Sequence, residues 1–300
     1  MQLLTVAHQN VKDRAMYIYF GNSEPTQRFF GEAAPAVLPV PLTKVFATGS
    51  LAMHPFSAVC RIEVSTGKGT SVGSGVLISP HHVLTCAHVL FDRSDPNPQK
   101  VTVLPNHDGA DEKRKPIPAD GWAVRPGWTW RECRTADNDL AIIRLSRKSD
   151  ADFFPVPNVN PAVIGNGPIT LAGYPAFTKS DKAYFMHRSE GTVLGGFNIL
   201  CCADAWPKNC NPPLIRQRDQ LTRTNFGPIT DTTPLIGHTL DTRVCMSGGP
   251  MWVFVNKKPV LVALHAGDID GGTNKKAVLL NRPARALIND WITRQFPPRN

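Results

Sequence analysis

Residues 244–250 read VCMSGGP, and the fold is decided by whether Ser247 in that run is a nucleophile or an ordinary turn residue. Gly248 and Gly249 permit a tight turn with backbone N–H groups pointing inward. The run PMWVFV (250–255) that follows reads as a buried strand. A serine hydroxyl is a weak nucleophile near neutral pH. It needs an imidazole to take its proton, and the imidazole needs a carboxylate to fix its tautomer. Two upstream residues meet those needs. His88 ends the apolar run in VLTCAHVL (83–90), and Asp139 opens the one in DNDLAIIRL (137–145). Asp137 is a rival carboxylate; Asp139 is preferred because it stands directly before LAIIRL. Each piece alone is ordinary: a packed histidine, a turn, a Gly-rich loop. Their order and strand contexts together place a Ser-His-Asp site between a front lobe and a rear lobe.

The rest of the chain has a β rhythm. SAVCRIEV (57–64), GSGVLISP (73–80), KVTVLP (100–105), PITLAGYP (168–175), GTVLGGF (191–197) and PVLVALHAG (259–267) are short, rich in Val, Ile and Leu, and bounded by Gly, Pro or Asn. That is an all-β pattern, barrel or sandwich. The end of the chain breaks it. In NRPARALINDWITRQF (281–296), Ala284, Leu287, Ile288, Trp291 and Ile292 make an apolar helical stripe. Asn281 can cap it, Pro283 suits its first turn, and Pro297 and Pro298 stop it. Residues 1–50 differ from both. GEAAPAVLPVPLTKVFATGS (31–50) has no clear period and reads as an extension or pro-segment before a domain over 51–300.

Composition removes several classes. Lys plus Arg number 33 against 24 Asp plus Glu, a net charge of +9, but no block of like charge stands out. DEKRKP (111–116) is mixed in sign and reads as a solvated loop, so nucleic acid is not expected as a partner. The longest uncharged stretch, 153–178, carries five prolines and cannot be a membrane helix. The first twenty residues lack the basic start and long apolar run of a signal peptide, so a cytoplasmic location is expected, with secretion as the alternative. Seven cysteines leave at least one unpaired, and free thiols are expected. One or two disulfides, within CCADAWPKNC (201–210) for instance, are the alternative. No C-x-x-C pair occurs and that cluster has no nearby His, so no metal is expected.

GSGVLISPHHVLTCAHVL (73–90), DNDLAIIRL and SGGPMW (247–252) resemble the signature regions of chymotrypsin-like serine proteases, over about residues 56–296. The resemblance implies two six-stranded antiparallel β-barrels, about 51–150 and 160–282, with a C-terminal helix at about 283–296. It makes His88 the general base and acid, Asp139 the orienting carboxylate, Ser247 the nucleophile, and the N–H groups of Cys245 and Ser247 the oxyanion hole. TLDTRVCMSGGPMW (239–252) and VLVALHAGD (260–268) look like the glutamyl endopeptidase (V8-like) branch. That likeness implies Thr242 and a protonated His265 binding an acidic P1 side chain, the residue before the cut. Asp241 stands where trypsin-type enzymes keep the acid that binds Lys or Arg, so a basic preference is second.

The chain departs from the family pattern twice. Cys245 replaces the oxyanion-hole glycine, and Met246 replaces the acid that pairs with a new N-terminal amine in trypsin-type zymogens. That switch cannot operate with Met246. Activation would need removal of the first 50 or so residues, or an activating partner that rearranges 240–246. The expected function is a serine endopeptidase acting on protein or peptide substrates without a cofactor. The reading from a different class is a catalytically silent peptide-binding protein of the same fold.

Overall fold

The computed structural model describes residues 40–45, 52–91, 98–109, 115–128, 138–156, 158, 161–165, 168–178, 185–197, 226–268 and 275–294. Strand β1 (Val40–Lys44) comes first in the chain but belongs to the second of two barrels. The first is built from β2 (Val59–Thr66), β3 (Gly69–Ser79), β4 (His82–Thr85), β5 (Lys100–Pro105), β6 (Ile117–Val124) and β7 (Ala141–Leu145). These antiparallel strands pair in the order β2-β3-β4-β7-β6-β5, and β5 returns to β2. Closure pairs strand edges that would otherwise be open. The runs of Val, Ile and Leu that marked five of these strands in the sequence supply fully buried Ile62, Leu77, Leu84, Ile142 and Ile143.

The second barrel follows the same plan. Strands β8 (Pro168–Gly173), β9 (His187–Phe197), β10 (Leu235–His238), β11 (Pro250–Val255), β12 (Lys258–Asp268) and β13 (Lys275–Leu279) run β8-β9-β10-β13-β12-β11, and β11 closes on β8. The eleven-residue β9 outruns its neighbours. Its residues 193–197 pair with β10, while 187–190 pair with β1. The end of the stretch read as an extension therefore supplies a strand. Val45, just beyond it, is buried and donates its N–H to the Met186 carbonyl at 2.8 Å.

An aromatic cluster joins the barrels. Trp252 on β11 is buried, edge-on to Phe56 at 5.6 Å and tilted to Phe154 at 6.0 Å. Helix α1 (Ala87–Leu90) is a single turn after β4, and helix α2 (Arg282–Thr293) closes the chain. The Asn281 side chain accepts the Ala284 N–H at 3.0 Å, capping α2 with Pro283 in its first turn. Ala284, Ile288 and Trp291 bury the expected stripe, with Ile288 alone contributing roughly 2–3 kcal/mol of apolar burial. No helix among the described residues is long and apolar enough to cross a membrane. Two six-stranded antiparallel barrels with a C-terminal helix is the architecture the sequence pointed to.

Candidate active site

Strand register brings His88 and Asp139 together. Thr85 at the end of β4 pairs with Ala141 at the start of β7. Continuing that antiparallel register, the chain after Thr85 runs beside the chain before Ala141. His88, on α1, then meets Asp139: His88 Nδ1 lies 2.6 Å from Asp139 Oδ2, and the His88 N–H donates to Oδ1 at 2.9 Å. Both carboxylate oxygens are thus used on one residue, which fixes ring and backbone at once. Burial of Asp139 works to raise its pKa, but the His88 ring and the two hydrogen bonds outweigh it and hold the carboxyl below its ordinary value. The imidazole remains partly exposed, at 22 %. Asp137, the rival, lies outside the described residues.

Ser247 comes from the other barrel, on the turn before β11. The ladder between β11 and β12 continues past Pro250: the Gly249 carbonyl accepts the His265 N–H at 2.9 Å, and Gly248 N–H donates to the His265 carbonyl at 2.8 Å. That same carbonyl accepts the thiol of Cys86 at 3.3 Å, two residues before His88. Gly248 has φ 82°, and a Cβ there would collide with the Ser74 carbonyl and the Thr85 hydroxyl. Glycine is required by both space and conformation. The turn carrying half-buried Ser247 is packed against the segment that leads into His88.

The two unusual residues before Ser247 have distinct environments. Cys245 adopts φ 71°, the left-handed region that favours glycine, at a cost of about 1–2 kcal/mol. Met246 is fully buried in the core of the second barrel with Leu171, Met251 and Ala263. A carboxylate at 246 would enter that apolar core, so this chain anchors the loop by burial.

Of the expected specificity residues, Thr242 and His265 are both buried. His265 Nδ1 lies 3.2 Å from His238 Nε2, and His238 Nδ1 accepts the Leu240 N–H at 3.3 Å. That acceptor bond leaves the hydrogen of neutral His238 on Nε2, where it can donate only to an unprotonated His265 Nδ1. Neutral His265 therefore carries its hydrogen on Nε2. Burial, reinforced by His88, lowers the His265 pKa to about 3. The protonated imidazole inferred from sequence is corrected to a neutral N–H donor, because a buried ring beside other cationic groups resists charging. Asp241 is turned elsewhere. Its Oδ2 accepts the Leu42 N–H of β1 at 3.2 Å, and its Oδ1 pairs with Arg243 at 3.3 Å.

The model for the trypsin-like peptidase domain matches residues 73–254, more than half of the chain, and the matched span runs from β3 through the Ser247 turn. The chain belongs to the trypsin-like peptidase family. A search of the curated proteins returned no match. Among solved structures, the chain is similar to a Glu endopeptidase in complex with MPD, with TM-score 0.60 and 17% identity over 85% of this chain and 97% of that one. It is also similar to the thermostable serine protease AL20 from an extremophilic microorganism, with TM-score 0.56 and 15% identity over 80% of this chain and 98% of that one. A scabies mite inactivated protease paralogue aligns with TM-score 0.54 and 17% identity, over 85% of this chain and all of the other.

Three groups of this trypsin-like peptidase site escaped sequence reading. Ser74 sits in the GSG of β3, His238 has no motif around it, and Cys86 looked like an apolar strand residue. Cys86, His88 and Asp139 also bring potential metal-ligating atoms within 4.8 Å of one another. Burial, and then Asp139, push the Cys86 thiol well above its ordinary pKa, so it keeps its hydrogen and serves as a donor. Cys60, Cys86 and Cys245 stand as thiols. Cys133 and CCADAWPKNC lie outside the described residues, and with them the disulfide alternative.

Proposed function

We propose that this trypsin-like peptidase is a serine endopeptidase that cuts protein substrates through an acyl-enzyme, with His88, Asp139 and Ser247 as its triad and an acidic P1 preference. The observation that carries the reading is the His265 carbonyl, which accepts both the N–H after Ser247 and the Cys86 thiol beside the His88–Asp139 pair. In this scheme Ser247 Oγ adds to the scissile carbonyl carbon while His88 takes its proton. Asp139 stabilises the resulting imidazolium through Nδ1–H. The oxyanion accepts the N–H groups of Cys245 and Ser247, each worth about 3–4 kcal/mol in the transition state. Collapse breaks the C–N bond, His88 gives its proton to the departing amine, and water then releases the acyl group by the same base. The scheme uses no cofactor.

The acidic preference is supported by the His265–His238 pair, which carries a preset Nε2–H in a buried setting. The net charge of +9 also favours acidic substrates by steering. A basic preference through Asp241 would require its carboxylate to leave Leu42 and Arg243. The test is cleavage-site profiling on a peptide library with wild type, His265→Ala and Ser247→Ala. Cleavage after Glu or Asp is expected, with kcat/KM for P1 Glu falling about 10–100-fold in His265→Ala. Cleavage after Lys or Arg would transfer specificity to Asp241. Wild type no more active than Ser247→Ala would make this a silent peptide-binding protein.

A further inference from the structure

Cys245 is held in its left-handed conformation from both sides, by a bond within its own loop, from the Met246 N–H to the Arg243 carbonyl at 3.2 Å, and by two groups outside it. On the preceding peptide, the Val244 carbonyl accepts the Ala176 N–H at 3.0 Å. The 244–245 peptide is trans, so the Cys245 N–H points away from that anchored carbonyl. On the following peptide, the Cys245 carbonyl accepts the Ser74 hydroxyl at 2.8 Å. With both planes fixed, the residue between them takes φ 71°.

Ser74 is built for this. It lies on β3 in the first barrel, is fully buried, and spends every polar group on a bond that ties the barrels together or locks its own strand. Its Oγ also accepts the Tyr174 N–H, just beyond β8, at 2.9 Å. Its N–H donates to the Ser247 carbonyl at 2.9 Å. Its carbonyl accepts the Thr85 hydroxyl, at the end of β4, at 2.8 Å. A single serine of the first barrel thus touches the residue before β11's turn, the candidate nucleophile itself and the strand that leads to His88.

We propose that Ser74 is a positioning residue: its hydroxyl holds the oxyanion loop in working order before substrate arrives, in place of the acid–amine pair that Met246 excludes. This rests on the peptidase reading above. Removing the hydroxyl takes this hydrogen bond from both the Cys245 carbonyl and the buried Tyr174 N–H, at a cost in stability. The 245–246 peptide then rotates, Cys245 relaxes out of the left-handed region, and its N–H turns away from the oxyanion position.

The test compares wild type, Ser74→Ala, Cys245→Gly and the double variant, with thermal melts, peptide kinetics and a crystal structure of Ser74→Ala. For Ser74→Ala we expect kcat to fall about 10²-fold, the scale of a lost oxyanion donor, with KM within about twofold. In the double variant kcat recovers by about tenfold or more, because glycine holds positive φ without strain. The crystal structure shows Cys245 out of the positive-φ region. Unchanged kcat in a folded Ser74→Ala, or no recovery in the double variant, overturns the proposal. If wild type proves inactive, the peptidase reading fails and the Ser74→Ala structure decides alone: Cys245 still near φ 71° refutes the positioning role, and Cys245 displaced sustains it.

Discussion

At position 245 a cysteine occupies backbone that a β-branched residue adopts only as an outlier. Cys245→Val should therefore lower stability by about 1–2 kcal/mol or more, while Cys245→Gly should leave the melting temperature level or raise it. Equal melts for the two variants would contradict the backbone assignment. At this scale the sequence was legible where a candidate catalytic residue sits next to a strand end. His88 and Asp139 could be read because each flanks an apolar run, and the strands carry them to one place. Partners far along the chain could not be read. Asp241 meets Leu42 across 199 residues, and Ser74 meets Cys245 across 171. Nothing local in either stretch signals the contact. The charge state of His265 was also hidden, since it follows from burial and from the neighbouring His88.

Among the elements, β1 changes the account of activation. Its Leu42 N–H holds Asp241 in the loop before Ser247, and Lys44 sits over the Phe185 ring at 3.3 Å. Trimming through residue 50 would remove this strand. Deleting residues 1–39 should leave the melting temperature within about 2 °C, whereas deleting 1–45 should cost about 2–4 kcal/mol and lower kcat/KM at least tenfold. Parallel melts and peptide assays check this, and equal behaviour of the two truncations would contradict a bracing role for β1. Nine of the other twelve strands were visible as Val-, Ile- and Leu-rich runs; β6, β10 and β13 were not. VPLTK (40–44) was not, because Pro41 removes an N–H and breaks the apolar alternation. Proline is tolerated on a strand added at the margin of a sheet.

Across the whole molecule, the two-barrel plan was legible because signature regions recur in a fixed order, and the 42% hydrophobic fraction suffices to fill two cores. Its pH response was not legible, since it depends on which histidines the cores enclose. Burial, then the neighbouring His265, hold His238 well below its ordinary pKa, and His265 is lowered from 6.5 to about 3. Below pH 6.5 the unfolded chain takes up protons at these rings and the folded chain does not, so stability falls as pH falls. Each ring held neutral contributes about 1.4 kcal/mol per pH unit. His238→Gln should flatten the slope of urea-unfolding free energy between pH 6.5 and 4.5 by about that amount, and an unchanged slope would contradict the buried pair. The central claim is that folding delivers a histidine from one barrel to a serine from the other. Labelling with a fluorophosphonate, mapped by mass spectrometry, tests it most directly. The account predicts modification of wild type at Ser247, none in Ser247→Ala, and a rate at least 10³-fold lower in His88→Ala; a folded wild type that does not label, or labels elsewhere, would contradict it.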